Sequence, residues 1–333
     1  MTKGRTILAG ICAFLFIVSG FASLLLFNVE RKTFSAETYK QAFRQQGLYA
    51  EVPALFAEMV AVSAREPGNN VFAFASRLDR NDLELAIAAM LPPEEFEALM
   101  DGFLDSTFAF LNGEADSISI PLLSFKQSMT AERGAQAIMQ IVLAQPDCTL
   151  PQLAQMGLGG DLIFCKPPDE AMTLVAPLIG TQLQFMAGGM PDELVILSTA
   201  QSASLLDERA QLDRVRAAMR LSPLLPLVFL LLVTLFAVRG LGDWLKWWGI
   251  PFLITGILGT LTALVIAPLA PSVLGDILLQ NTQAIPAELL AMMRDAAAAI
   301  TREVFRPVAI QGIILTAAGS AMIVVNAIVR RND

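Results

Sequence analysis

Carboxylates and cysteines are the side chains in this sequence whose spacing could support chemistry, because its 333 residues include no histidine. That absence removes the commonest general base, the commonest metal ligand and every Ser–His or Cys–His nucleophile. An enzyme would have to work with carboxylates, lysine or backbone groups. The densest acidic group has the spacing of a solvated helix face: Glu94, Glu95, Glu97, Asp101 and Asp105. We therefore predict a protein without catalytic residues.

Two short motifs resemble ligand-binding loops, but each lacks residues that its ligand requires. Residues 79–84 have the clustered oxygens of a calcium loop without its central glycine or its distal glutamate. They fit a helix start better, with Asn81 as the N-cap and Glu84 as its capping-box partner. Residues 157–161 are glycine-rich like a phosphate loop, but no Gly-Lys-Ser/Thr follows them. The sequence predicts no metal, no cofactor and no nucleic-acid partner.

Cys148 and Cys165 flank a short segment rich in proline and glycine, and we predict that they form a disulfide. Cys12 lies in the first apolar stretch, so an even pair remains outside it. The extracytoplasmic space of bacteria is oxidising. Closing a loop of this size stabilises a fold by about 3 kcal/mol on the chain-entropy account. The alternative is two free buried thiols.

Four apolar stretches organise the rest of the chain, and they are spaced unevenly along it. At about 1.5 Å per residue, the first is long enough to cross a hydrocarbon core near 30 Å. Its length and the lack of a small-residue cleavage site favour a retained anchor over a cleaved signal peptide. The predicted spans are residues 6–27, 224–238, 250–269 and 308–329. The predicted fold is mostly α, a four-helix transmembrane anchor with a large, predominantly helical extracytoplasmic domain.

Basic residues beside the spans predict the orientation, since short cytoplasmic loops retain lysine and arginine. Three basic pairs fall on one side of a four-span chain: Lys3 and Arg5, Arg239 and Lys246, Arg330 and Arg331. If that side is the cytoplasm, it contains residues 1–5, 239–249 and 330–333. The opposite side of the membrane then contains residues 28–223 and 270–307. Six of the 23 basic and two of the 31 acidic residues are then inside, which leaves 17 basic and 29 acidic residues, a balance of −12, for the exported parts. We predict a plasma-membrane protein with both termini in the cytoplasm.

The large exported segment has mainly helical patterns separated by proline and glycine, with two short β signals. Residues 117–120 alternate like a strand, and residues 194–197 form a short apolar strand candidate. We expect the two to pair, since neither could stand alone. In the smaller exported segment, Pro286 and Pro307 bracket a helix over residues 287–305. We expect that helix to pack on the main domain or to lie on the outer leaflet.

The predicted spans contain no charged residue, whereas ion- and proton-coupled carriers keep ionisable groups near the midplane. Gln311 and Asn326 are strongly polar, and we expect each to bridge helices. Small residues also recur at every fourth position of the third span and match a set in the fourth. These residues are Thr255, Gly259, Ala263 and Ala267, with Gly312, Thr316 and Ser320 opposite. We expect the two helices to pack closely, either within one chain or between subunits.

Three tryptophans follow the second span, where indole rings favour the membrane interface. They are Trp244, Trp247 and Trp248. We expect them to act as interface anchors that fix the depth of both neighbouring helices.

The order of span, large exported domain, two spans, small exported segment and span resembles the permease subunits of the type VII ABC class. This resemblance implies a relay of cytoplasmic ATP hydrolysis to extracytoplasmic partners, with residues 239–249 as the contact to the ATPase. It covers topology and not motifs, and only residues 1–5 stand where that class usually carries an amphipathic cytoplasmic helix. Three phrases are similar to bacterial four-span envelope proteins: residues 34–39, 91–94 and 165–168. That similarity implies the four-span architecture and no activity.

These features predict a non-enzymatic envelope protein with two kinds of partner, the lipid bilayer and either another protein or further copies of the chain. The alternative is a permease or mechanotransmission subunit that works with a cytoplasmic ATPase. A hydrolase of envelope polymers that uses two facing carboxylates is a third hypothesis.

Overall fold

Long helices make up most of the structure, a computed structural model that describes residues 3–63, 80–143, 145–149, 151–152, 165–199, 204–281 and 287–332. The first half of the chain contains α1 (Lys3–Thr33), α2 (Ala36–Gln46), α3 (Leu48–Ser63), α4 (Arg80–Met90), α5 (Pro93–Leu111), β1 (Ser117–Pro121), α6 (Leu123–Thr130) and α7 (Glu132–Leu143). The second half contains α8 (Asp169–Gly189), β2 (Glu193–Ser198), α9 (Ser204–Leu221), α10 (Leu224–Ala237), α11 (Leu241–Asn281) and α12 (Ala287–Asn332). The chain divides into unit 1, Met1–Gln46 with Thr199–Asp333, and unit 2, Gly47–Ser198.

Four helical runs among the described residues are long and apolar enough to cross a membrane. They are Gly4–Thr33, Leu206–Ala237, Leu241–Val273 and Leu290–Val329, all in unit 1. The four runs contain the four predicted spans except for residue 238, which lies one residue beyond the second run, and the described chain is mostly helical with little strand. These findings confirm the mostly α class and fit a multi-pass membrane protein.

The helices α11 and α12 approach each other so closely that the backbone of one helix contacts the backbone of the other. A Cβ atom added at Gly256 would lie 2.5 Å from the Thr316 backbone nitrogen. One added at Gly312 would lie 2.9 Å from the Gly256 carbonyl oxygen, and one at Gly319 would lie 2.5 Å from the Leu253 nitrogen. No side chain fits at such distances, so glycine is required at the contact. The expected close packing of the third and fourth spans is therefore present within one chain.

Helix α1 packs against α10, α11 and α12 within unit 1. Its Leu24 forms a buried apolar cluster with Ala263 of α11 and Val308 of α12. Val308 follows Pro307 directly, and α12 continues through that proline without a break. The structure thus corrects the expectation of a separate helix ending at residue 305. A proline removes only one helical hydrogen bond, and a fully buried Val308 holds the turn in place.

Gly47 separates α2 from α3, where its φ of +65° lies in the left-handed region. Glycine adopts this conformation without the steric cost that a Cβ atom would add. Pro53 lies inside α3, which continues past it. The helix is therefore interrupted at the glycine and not at the proline.

Unit 2 consists of helices packed around one two-stranded sheet. Strands β1 and β2 pair antiparallel, with Ser119 opposite Val195 and Ile120 opposite Leu194. This confirms the predicted pairing. The sheet packs against α5 on the β1 side, and α6, α7 and α8 share an apolar core that includes Met129, Ile179, Leu183 and Ala187.

We predict that Gly256→Ala destabilises unit 1, because the added methyl group must push α11 and α12 apart. Overpacking of this kind costs about 1–3 kcal/mol. The matched control is Gly10→Ala in α1, where an added Cβ atom meets nothing within 4 Å. Thermal unfolding in mild detergent, followed by circular dichroism, should show a lower midpoint for Gly256→Ala alone. Equal midpoints for the two variants would contradict the close contact.

Candidate functional site

A buried ionic cluster joins the end of α1 to α9. The Glu30 carboxylate oxygen Oε1 accepts hydrogen bonds from Arg216 Nε at 3.3 Å and Arg220 Nε at 2.7 Å. Arg216 Nη2 lies 3.2 Å from the same oxygen. The side chains of Glu30 and Arg216 are only 6% and 5% exposed, whereas that of Arg220 is 58% exposed. Two guanidinium groups share one carboxylate, so the cluster carries one net positive charge.

Helical spacing explains why the two arginines meet one glutamate. Arg216 and Arg220 are four residues apart, which puts them on the same face of α9. Phe34, just after α1, supports the cluster, since its ring lies 4.2 Å below the Arg216 guanidinium carbon. The sequence patterns did not predict this cluster. A glutamate shortly after the first apolar span, and two arginines four residues apart shortly before the second span, are the features that could have indicated it.

The turn between α1 and α2 is closed by hydrogen bonds. The Tyr39 phenol donates to the Thr33 carbonyl oxygen at 3.1 Å, and the Thr38 backbone N–H donates to the Ser35 carbonyl at 3.2 Å. Burial raises the pKa of Tyr39 above its usual value near 10. The phenol therefore stays protonated at neutral pH and keeps its donor.

An amide pair links α1 to α12 inside the apolar part of unit 1. Asn28 Nδ2 donates to Gln311 Oε1 at 2.8 Å, and Gln311 Nε2 donates back to Asn28 Oδ1 at 3.3 Å. Gln311 thus bridges helices as expected. The Oδ1 atom of Asn326 has no hydrogen-bond partner among the described residues, and the expected bridge by Asn326 stays a prediction.

The predicted stripe of small residues is divided between two neighbours of α11. Gly312 and Thr316 contact α11 through Gly256 and Thr260, which lie one position beyond the predicted Thr255 and Gly259. Thr255 instead faces Gly20 of α1. A Cβ atom added at Gly259 would lie 3.2 Å from the Leu24 side chain of α1 and 3.9 Å from the Gly312 Cα atom of α12, so Gly259 borders both helices. Ala263 belongs to the cluster with Leu24 and Val308. The packing role of Ala267 and Ser320 stays a prediction.

The three tryptophans lie in the first turns of α11 and not in a loop. Trp248 Nε1 donates to Thr234 Oγ1 of α10 at 3.0 Å, so its polar atom is used inside the helix bundle. The Trp248 ring also lies 5.1 Å from that of Trp244 and 5.8 Å from that of Phe252. Phe252 in turn contacts Phe16 of α1 at 5.6 Å. Trp248 therefore ties helices together, while anchoring by Trp244 and Trp247 stays a prediction.

Cys148 and Cys165 lie at disulfide distance in unit 2, with Cα atoms 4.9 Å apart. Backbone hydrogen bonds hold the two segments side by side: Cys148 N–H donates to the Lys166 carbonyl, and Lys166 N–H donates to the Pro146 carbonyl, each at 2.9 Å. Cys12 is free and buried in α1. The glycine-rich residues 157–161 lie outside the described residues, as does Asp79.

The acidic face of α5 is not uniformly solvated. Asp101 accepts a hydrogen bond from the Tyr49 phenol at 3.1 Å, while Glu94 and Asp105 are exposed. Across the part of the chain that the structure describes, no group of three or more acidic or cysteine side chains could hold a metal ion. Asp101 therefore has a structural contact within unit 2.

Strand β2 exposes three consecutive apolar side chains in unit 2. Leu194, Val195 and Ile196 are 47%, 48% and 52% exposed. Consecutive strand residues point to opposite faces, so Leu194 and Val195 present apolar side chains on both faces of the sheet. The register places no β1 residue opposite Ile196. The sequence showed this strand, but not its exposure. The signal was an unbroken apolar run, which a two-stranded sheet cannot bury on both faces.

Comparisons with protein families, with curated proteins and with solved structures find no match to this chain. The functional argument therefore rests on the contacts described above.

We predict that Glu30→Gln destabilises unit 1 by about 3 kcal/mol, because it removes the carboxylate charge that pairs with the buried Arg216. The matched control is Glu37→Gln, since Glu37 is exposed on α2. Replacing Glu30 with leucine and Arg216 with methionine together should recover most of the loss, since an apolar pair needs no charged partner. Unfolding by denaturing detergent measures all three, and equal stability of Glu30→Gln and Glu37→Gln would contradict the ionic cluster.

Proposed function

We propose that this protein is a multi-pass protein of the plasma membrane that displays unit 2 outside the cytoplasm, where unit 2 binds another protein. Four apolar helices, an even number, support a topology with both termini on one side. The basic pairs at Lys3 and Arg5, Arg239 and Lys246, and Arg330 and Arg331 support the cytoplasm as that side. A cysteine pair at disulfide distance in unit 2 supports an oxidising compartment for that unit.

The single observation that carries the binding role is the exposed apolar strand β2. Three consecutive apolar side chains, each about half exposed, give the sheet apolar surface on both faces that a monomer would leave in contact with water. A strand at the edge of a sheet also presents backbone groups that another chain can pair with. Addition of an extended peptide strand uses both features, since the backbone supplies hydrogen bonds and the side chains supply specificity.

The hydrogen-bond pattern identifies which backbone groups a partner would reach. Leu122 N–H donates to the Asp192 carbonyl across the sheet at 2.8 Å. Bonded and non-bonded pairs alternate along an antiparallel ladder. The backbone groups of Leu194 therefore face β1, and those of Glu193 and Val195 point to the opposite edge. Within the described residues the sheet has two strands, so that edge has no strand paired to it.

An alternative function, a permease or mechanotransmission subunit, is favoured by the length of α12. Its 46 residues form one helix of about 69 Å at 1.5 Å per residue, more than twice the hydrocarbon thickness. A continuous helix of this length can carry motion from one side of a membrane to the other. This alternative requires a cytoplasmic ATPase at residues 239–249, and such an ATPase would co-purify with the protein.

We predict that a photo-crosslinking amino acid at position 196 captures a discrete partner in cells of the native host. The same amino acid at the exposed Gln140 of α7 is the control and should capture none. Val195→Pro should abolish the adduct, because it removes an N–H that points away from β1 and leaves the β1 pairing intact. Copies carrying two different tags will show whether the partner is a second copy.

Two results would contradict this proposal. One is an adduct at position 196 that is no stronger than that at position 140. The other is an adduct that persists in a folded Val195→Pro variant, with folding checked by circular dichroism.

A further inference from the structure

The ionic cluster of Glu30, Arg216 and Arg220 contains one arginine more than is required to neutralise the buried Glu30 carboxylate. Glu30 is buried and Arg216 alone would neutralise it, yet Arg220 also donates to Glu30 Oε1. Arg220 is the member that faces outward, with 58% of its side chain exposed. Arg31 and Lys32 directly follow Glu30 in the sequence and add two further positive charges.

Glu30 holds the Arg220 guanidinium in place, while most of its N–H groups donate no hydrogen bond to the described residues. Its Nε donates to Glu30 at 2.7 Å, and its two amino groups make no further contact to the described residues. A guanidinium group presents a planar fork that matches the oxygens of a phosphate. Because Glu30 fixes one edge of this fork, the remaining donors are oriented before a ligand arrives, which lowers the entropic cost of binding.

The position along the chain puts this fork at the depth of lipid headgroups. Arg220 lies four residues before Leu224, the first residue of α10, and Glu30 lies three residues after the predicted end of the first span. Four residues of helix measure about 6 Å. The headgroup layer on each side of the hydrocarbon core is about 5–7 Å thick. The exposed donors therefore meet phosphate groups and not acyl chains.

We propose that Arg220, oriented by Glu30 and supported by Arg216, binds the phosphodiester group of an anionic phospholipid. The net positive charge of the cluster, increased by Arg31 and Lys32, favours a lipid with net negative charge over a zwitterionic one. Asp213, an acid on the same face of α9, lies seven residues from Arg220, which is about 10 Å along the helix. The proposal rests on the membrane placement given above and is independent of protein binding through β2.

Native mass spectrometry of the full chain in mild detergent tests the proposal, with phosphatidylglycerol and phosphatidylcholine as the two probes. Wild type should bind phosphatidylglycerol more tightly than phosphatidylcholine. Arg220→Gln should weaken phosphatidylglycerol binding by about fivefold, the value of one basic side chain at a membrane surface. Arg214→Gln is the matched control, since Arg214 is exposed on the same helix and its Nε donates to its own helix at the Ala210 carbonyl.

The outcomes separate the proposed site from general electrostatics. Equal losses in Arg220→Gln and Arg214→Gln, or no preference of wild type for phosphatidylglycerol, would overturn the site. Displacement of the lipid by inorganic phosphate would assign the fork to free phosphate and overturn the lipid assignment. Arg220→Lys, which keeps the charge, should retain more binding than Arg220→Gln, and this comparison guards against loss through misfolding. None of these readouts depends on the crosslinking at β2.

Discussion

Hydrocarbon offers no hydrogen bonds to a polypeptide backbone, and this constraint governs unit 1. A segment that crosses a membrane must satisfy its backbone groups internally, which a helix does. Because lipid is as apolar as leucine, the helices gain little from burying apolar side chains against each other, and close packing must hold them together. Glycine at the α11–α12 contact supplies that packing, and α1 adds Leu24 to the same group of helices.

Polar contacts connect the long helices of unit 1 at defined points. The Asn28–Gln311 amide pair fixes α1 against α12, and the Trp248–Thr234 hydrogen bond fixes α11 against α10. Full charges occur just beyond the first span, where Glu30 binds two arginines of α9. These contacts hold the helices of unit 1 together. Arg220 is the arginine of the Glu30 cluster that remains exposed. Unit 2, by contrast, exposes an apolar strand, and the proposed binding of another chain rests on that exposure.

Local sequence patterns were sufficient to predict the helical class, the four apolar runs and the pairing of β1 with β2. Each of these depends on a periodicity or an apolar length that is visible within about 20 residues. The same patterns left other features undetermined. A stripe of small residues at every fourth position does not say which neighbour each residue meets: Thr255 faces α1, Gly259 borders both α1 and α12, and Gly256 faces α12. The Glu30–Arg216 contact joins residues 186 positions apart, and no local rule links them.

The placement of unit 2 outside the cytoplasm is the central claim, and a pair of reporter fusions tests it directly. Alkaline phosphatase and green fluorescent protein, each inserted in the full chain after Gly113 in the exposed turn that follows α5, report the two sides of the membrane. Fusions after Asp333 are the matched control. We predict an active phosphatase and a dark fluorescent protein at Gly113, with the reverse at Asp333. A fluorescent insertion at Gly113 with an inactive phosphatase would contradict the account.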